Sequence, residues 1–412
     1  MENLKVIRGG LLIDGNGSPP VKNGALLIAG SQLAWVGPQQ DLKIPDGASP
    51  EVFDYPNGTL LPGLVDAHTH MNFPGDGSLI EDLEEETDEL LLLRSVMNAK
   101  KHLESGVTTA RENGARNKTG LSLKEGIERG FVPGPKLVSC GRPITIRGGH
   151  CWTMGGEADG TEGMRQAVRQ LVKEQVDFIK VMTTGGGTKT SFPFLPAYSV
   201  EELSALVDEA HKFGKLVGAH ATATQGIINA LDAGADMIIH CSFNDSDGTY
   251  RYDPKVAERI AETGTWVNLT IYVGLARIHA LERQSRESGL DETEVALLDQ
   301  LKRVHDASKK GSNQLIQAGA KIAPGSDAGW RSYPLGHFQK ELIALCDLDI
   351  STMQAIVSGT KESAKSIGVG NSVGTLESGK QADVLVTAGN PLETLDALSS
   401  VEAVFKDGVH VK

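Results

Sequence analysis

Cysteine is scarce in this chain of 412 residues: Cys140, Cys151, Cys241 and Cys346 are the four present, and none stands in CxxC spacing. That argues against a disulfide framework and against a thiolate zinc site, and leaves the four as structural thiols. No Lys/Arg-rich run interrupts a chain of formal net charge -13, so neither a nucleic acid nor an anionic membrane surface is an expected partner. No stretch approaches the roughly 20 apolar residues of a membrane helix, and residues 1–10 lack the apolar segment of a signal peptide. The expectation is a cytoplasmic protein with a small-molecule substrate. Residues 183–190, with Gly185-Gly186-Gly187, lack the full phosphate-loop pattern and are read as backbone room beside a site.

What is present is a pattern of alternation. With 40% hydrophobic residues and 48 glycines, the chain can bury one large core with a smaller satellite and can make many tight strand-to-helix turns. Residues 1–59 and 369–412 read as short period-two strands separated by Gly, Asn, Asp and Pro, so the two ends are expected to pair into one small β-sandwich domain. Residues 60–368 alternate apolar runs with amphipathic stretches, and eight runs can be read: 60–67, 107–111, 136–140, 178–183, 216–220, 237–240, 266–269 and 322–327. Between them lie helical patterns such as 199–213, with Ser199 placed as an N-cap. Eight such repeats predict an α/β fold, a (β/α)8 TIM barrel whose chemistry sits at the C-terminal ends of its strands.

The polar residues fall at those ends. His68 and His70 lie two residues apart at the end of the first run, and strand periodicity turns both imidazoles to one side. Lys180 interrupts the fourth run, where an unpaired ammonium would be expensive to desolvate. His220, His240 and Asp327 close the fifth, sixth and eighth runs. Each alone has a plain structural explanation: a core histidine bonded to a neighbour, a salt-bridged lysine, an aspartate capping the next helix. Gathered on five strands of one barrel, they point instead to a metal site. Nitrogen and oxygen donors without thiolate suit Zn²⁺, with Mn²⁺, Fe²⁺, Co²⁺ and Ni²⁺ as alternatives. Six donors exceed the needs of one catalytic zinc, so two ions are expected, bridged by Lys180 if its amine has reacted with CO₂. Two metals lower the pKa of a shared water, and Asp327 beside them is placed to move its proton to the leaving group.

These residues carry a resemblance to the amidohydrolase superfamily over nearly the whole chain. The motifs are Pro62-Gly63-Leu64-Val65-Asp66-Ala67-His68-Thr69-His70, the strand-end Lys180, His220, His240 and Asp327, and the tail from Gly374 to Asp383. Gly106-Val107-Thr108-Thr109-Ala110-Arg111, Arg147-Gly148-Gly149-His150 and Ile179-Lys180-Val181-Met182 look most like the branch of imidazolonepropionase-like hydrolases and Xaa-Pro or Xaa-Arg dipeptidases with a binuclear metal centre. The resemblance implies that His68 and His70 bind one zinc, a carboxylated Lys180 bridges, and His220 and His240 bind the second. It implies that Asp327 ligates and shuttles the proton, while His150 polarises the substrate carbonyl. Arg111-Glu112 stands where relatives in this branch carry Arg-Asp, and the 242–252 loop matches no dipeptidase substrate loop.

Arg331 and Tyr333 follow Asp327 and are assigned to substrate binding, with Arg331 open between a bidentate clamp on a carboxylate and an exposed salt bridge. His337 is read as structural or as a support behind the site residues, and Trp152 and Trp330 as walls of the site or as core. The expected activity is metal-dependent hydrolysis of an amide-type C–N bond in an N-acyl amino acid, dipeptide, urea, carbamate or cyclic amide. A mononuclear deaminase or imidazolone-type hydrolase, with Lys180 unmodified, is the first alternative, and a catalytically silent binding protein on the same fold the second. A homo-oligomer is the base-rate expectation.

Overall fold

The computed structural model describes residues 4–78, 81 and 84–412. Eight parallel strands form the centre: β5 (Leu64–Thr69), β6 (Val107–Glu112), β7 (Lys136–Ser139), β8 (Ile179–Met182), β9 (Val217–Ala221), β10 (Met237–His240), β11 (Trp266–Asn268) and β12 (Lys321–Ile322). Ladders join β5 to β7 and β8 to β12, and loop bonds close the two seams. Ile144 N–H donates to Lys180 O at one seam, at 2.8 Å, and Asp327 N–H donates to His68 O at the other, also at 2.8 Å. The result is the expected barrel. Its strands are apolar and buried because both faces are covered, by the barrel interior and by the helices outside.

The helices that matter for the site are α1 (Asp88–Glu104), α2 (Thr119–Glu128), α3 (Gly160–Lys173), α4 (Val200–Lys212), α5 (Thr224–Asp232), α6 (Pro254–Thr263), α7 (Ile271–Glu287), α8 (Glu292–Gln317) and α9 (Gln339–Cys346). Ser199 caps α4 as its sequence predicts, in a capping box with Glu202.

The ends of the chain supply one seven-stranded sheet, ordered β15-β14-β13-β4-β1-β2-β3. Its strands are β1 (Leu4–Leu12), β2 (Val21–Ala29), β3 (Gln32–Pro38), β4 (Glu51–Pro62), β13 (Val384–Ala388), β14 (Val401–Lys406) and β15 (Val409–His410). Ile7, Leu26, Leu33, Val386 and Phe405 share its core, so residues from opposite ends of the sheet face one another. The Gly408 turn packs against Gly30 and Ile28, which brings the two edges together.

The run 60–67, expected as a single barrel strand, is divided between the two bodies. Leu60 and Leu61 pair with Val386 and Leu385 in the terminal sheet, Gly63 N–H donates to Asp383 O, and the barrel strand begins at Leu64. Both halves are fully buried, so hydropathy alone cannot reveal the change of sheet. The eighth run is also shorter than expected. Regular pairing ends at Ile322, and Asp327 leaves the strand direction with φ of 54°.

Candidate metal centre

Strand β5 presents His68 and His70 on one side, with their Nε2 atoms 3.2 Å apart. The other nitrogen of each ring is already committed. His68 Nδ1 donates to Asn268 Oδ1 at 2.9 Å, and His70 Nδ1 donates to Gly114 O at 3.0 Å. Each Nε2 therefore carries a bare lone pair. Asp327 Oδ1 lies 3.3 Å from His68 Nε2 and 3.4 Å from His70 Nε2. Two lone pairs and a carboxylate oxygen thus face one another in a buried place. Protonation of His68 is disfavoured, because burial first and the Lys180, His70 and His240 charges next hold its pKa well below the ordinary imidazole value. A cation resolves the conflict. Two nitrogens bound about 2.0–2.1 Å from one tetrahedral zinc lie roughly 3.3 Å apart, so the spacing fits such an ion.

The other donors surround this group. The His240 ring centroid is 5.6 Å from that of His68 and 4.7 Å from that of His220. His220 Nε2 donates to Gly185 O at 3.0 Å, which leaves Nδ1 as its bare nitrogen, whereas His240 Nδ1 pairs with Thr270 Oγ1 at 2.7 Å, which leaves Nε2. Lys180 is 1% exposed, and its amine has no hydrogen bond or ion pair among the described residues. Burial lowers its pKa to about 8, so a neutral, nucleophilic amine is accessible near neutral pH. His150 packs on His220 with centroids 4.8 Å apart, and its Nδ1 pairs with Thr188 Oγ1 at 2.9 Å. Burial, followed by the His220 and Lys180 charges, holds His150 neutral. A Cβ on Gly186 would come within 2.6 Å of the His150 ring, so the glycine stretch does provide backbone room at the site.

The candidate donors line one cavity of about 410 Å³. His68, His70, His150, Lys180, His220, His240, Asp327 and Arg331 are on its wall, and Tyr333 is not. Tyr333 is buried; its hydroxyl donates to His337 O at 2.8 Å and its ring packs on Tyr272, so it is withdrawn as a substrate contact. The chain turns at Arg331, whose φ is 52°, and this sends the residues after it back into the core. Trp330 lines the cavity, and Trp152 lines a separate one. The 242–252 loop contributes Ser242 and Asn244 to the wall. Glu112, the departure noted in the sequence, accepts from Met71 N–H at 2.8 Å behind the histidines and does not line the cavity.

Several functional partners escaped the sequence reading. Asn268, Thr270 and Thr188 each fix one histidine, and Asn268 closes an apolar strand just as Lys180 interrupts one, which was an available signal. Backbone strain was not available. Among the described residues eleven non-glycine positions have positive φ, and five of them, Cys151, His240, Thr270, Asp327 and Arg331, line this cavity.

Comparison with known proteins follows the same outline. A sequence profile of the Amidohydrolase family matches residues 59–411. Ochratoxinase of Aspergillus niger is 28% identical over an alignment covering 97% of this chain and 84% of that protein. The crystal structure of a Xaa-Pro dipeptidase with methionine bound in its active site aligns with a TM-score of 0.85 and 27% identity, covering 99% of each chain. A putative prolidase from Bifidobacterium longum aligns with a TM-score of 0.81 and 27% identity, covering 100% of this chain and 95% of the other.

Proposed function

The chain belongs to the amidohydrolase family and hydrolyses C–N bonds of small molecules, and from that premise we propose that it cleaves the amide of an N-acyl amino acid or dipeptide at a two-metal centre. The observation that carries this reading is the meeting of two bare imidazole nitrogens and the Asp327 carboxylate within 3.4 Å. His68, His70 and Asp327 would hold one ion. His220 through Nδ1 and His240 through Nε2 would hold the second, with N-carboxylated Lys180 between the two. The donor set suits Zn²⁺, and Mn²⁺, Fe²⁺ or Co²⁺ are the alternatives. When bound, such ions supply Lewis acidity and a water of lowered pKa.

The chain's own groups do the rest. Asp327 takes the proton of the attacking water and passes it to the departing nitrogen. His150, neutral and fixed by Thr188, donates to the carbonyl oxygen as charge builds there. Arg331 faces the same cavity and holds a substrate carboxylate. Leu269, Val273, Ile278 and Val304 give the acyl half an apolar wall.

The test is a turnover screen of zinc-loaded protein in bicarbonate, over N-acyl amino acids, dipeptides, aryl ureas, carbamates and lactams. Release of free amino acid, abolished by chelation and restored by zinc, is the expected result; turnover of the ureas or lactams alone would overturn the substrate class. A one-metal reading has its own support, since His68, His70 and Asp327 already form a complete three-donor group. A metal-to-protein ratio near one with full activity would favour it. In the two-metal reading, Lys180→Ala lowers the ratio from two to one or below.

A further inference from the structure

Apart from Asp327, the charged side chains on the cavity wall are cationic. Asp327 is the single acidic side chain among the described residues lining the catalytic cavity, and none lines the cavity of about 250 Å³ beside it. Composition does not explain this, because Asp and Glu outnumber Lys and Arg by 53 to 40 in the whole chain. The two cavities share Gly187, Leu301, Trp330 and Arg331, so a molecule held at the imidazoles has the smaller space within reach.

Two arginines line that smaller space: Arg331, and Arg277 from α7. Neither guanidinium has a hydrogen bond or ion pair among the described residues. Although Arg331 is exposed, the protein packed around it lowers its pKa, with Asp327 raising it and the like charge of Arg277 lowering it further. The Arg331 backbone is held in the left-handed region, costly for a long side chain, and its carbonyl is fixed by Gly77 N–H at 2.6 Å. Among the described residues, these two neighbouring cations share a space in which no acid supplies a counter-charge. Guanidinium forks match carboxylates in charge and in shape.

One substrate carboxylate is already accounted for at Arg331. We propose that the smaller cavity is a subsite for a second carboxylate, seated between Arg277 and Arg331, so that the preferred leaving half of the substrate is an acidic amino acid. This rests on the amide-hydrolase reading above. The subsite sets specificity: a neutral isostere keeps the carboxylate at Arg331 but leaves Arg277 without a partner, and sites built around a polar group reject analogues lacking it strongly. Arg277 acts on recognition of the leaving half and not on bond cleavage.

The experiment compares kcat/KM for N-benzoyl-L-glutamate and N-benzoyl-L-glutamine in the zinc-loaded parent, Arg277→Met and Arg277→Lys. The parent is expected to favour the glutamate by at least about tenfold, through KM. Arg277→Met should erase the preference, with most of the loss falling on the glutamate substrate, and Arg277→Lys should restore part of it. Equal use of both substrates by the parent, or an equal loss on both in Arg277→Met, overturns the subsite. Calorimetric binding of glutarate and of its monoamide gives a reading that needs no turnover. If neither benzoyl substrate is cleaved yet glutarate binds the parent at least tenfold tighter than it binds Arg277→Met, the reaction class fails and the subsite stands. If glutarate binds both proteins alike, the subsite fails whatever the turnover.

Discussion

Asn268 decides which nitrogen of His68 meets an ion. Its Oδ1 accepts from His68 Nδ1, and its own amide donates to Ala323 O at 2.7 Å, so neither side chain can turn. Asn268→Leu should therefore weaken metal affinity by about 10–100-fold, the usual cost of losing such a partner, whereas Asn268→Asp keeps the acceptor and most of the affinity. Competition against a zinc chelator measures both. Wild-type affinity in Asn268→Leu would show that the strand alone orients the ring. At this scale the residues that could bring chemistry were legible: His68, His70, Lys180, His220, His240 and Asp327 are polar groups at apolar strand ends, and all six reach one cavity. Their orienting partners were not legible, because Asn268 and Thr270 are common residue types whose role arises only from a neighbour brought close by folding. Tyr333 misled for the opposite reason, since nearness in sequence to Asp327 did not survive the turn at Arg331.

The next scale is the element. Helix α7 begins just after Thr270, which sits in the left-handed region and holds His240. Its first two N–H groups are met not by a local cap but by Glu341 of α9, at 2.8 Å from Ile271 and 2.7 Å from Tyr272. Burial pushes the Glu341 carboxyl up to about 8 even though these two donors work against the shift. Glu341→Ala leaves two half-buried donors without a partner, at about 1–3 kcal/mol each, so a loss of about 2–6 kcal/mol in urea unfolding is expected. Zinc loading should fall with it, because the start of α7 positions Thr270. A stable variant with unchanged metal content would place the control of His240 elsewhere. The barrel strands themselves were readable as apolar runs because both their faces are buried. The break at Gly63 was hidden by that same burial, since the last residues of β4, up to Pro62, and all of β5 are equally buried in different sheets.

At the scale of the whole molecule, the terminal sheet and the barrel meet at Asp383. Its carbonyl accepts from Gly63 N–H, where the chain passes between the two bodies, and its Oδ1 accepts from Asp407 N–H at 2.9 Å. Burial raises its pKa from 3.8 to about 6. A carboxyl whose folded pKa lies above its unfolded one binds its proton more tightly in the fold. Its contribution is therefore most favourable below about pH 4 and is lost as pH rises through about 6. Asp383→Asn keeps the acceptor and cannot ionise. It should be more stable than the parent at pH 8 by up to about 3 kcal/mol, with the two curves converging below pH 4. Thermal unfolding across that range checks it, and a parallel pair of curves would refute it. The segregation of charge also belongs to this scale: in a chain of net charge -13, Asp327 is the single acid among the described residues lining the catalytic cavity and the smaller one beside it, a pattern that no linear reading of the residues could reveal.

Donors from five strands of a barrel are brought to one cavity by folding, and two cations are expected to hold them there. Anomalous diffraction at the zinc edge, from crystals grown with zinc and bicarbonate, tests this most directly. Two peaks are expected, one against His68, His70 and Asp327 and the other against His220 and His240, with electron density continuing past Lys180 Nζ. A cluster without a peak, or a single peak beside a plain Lys180 amine, would contradict it.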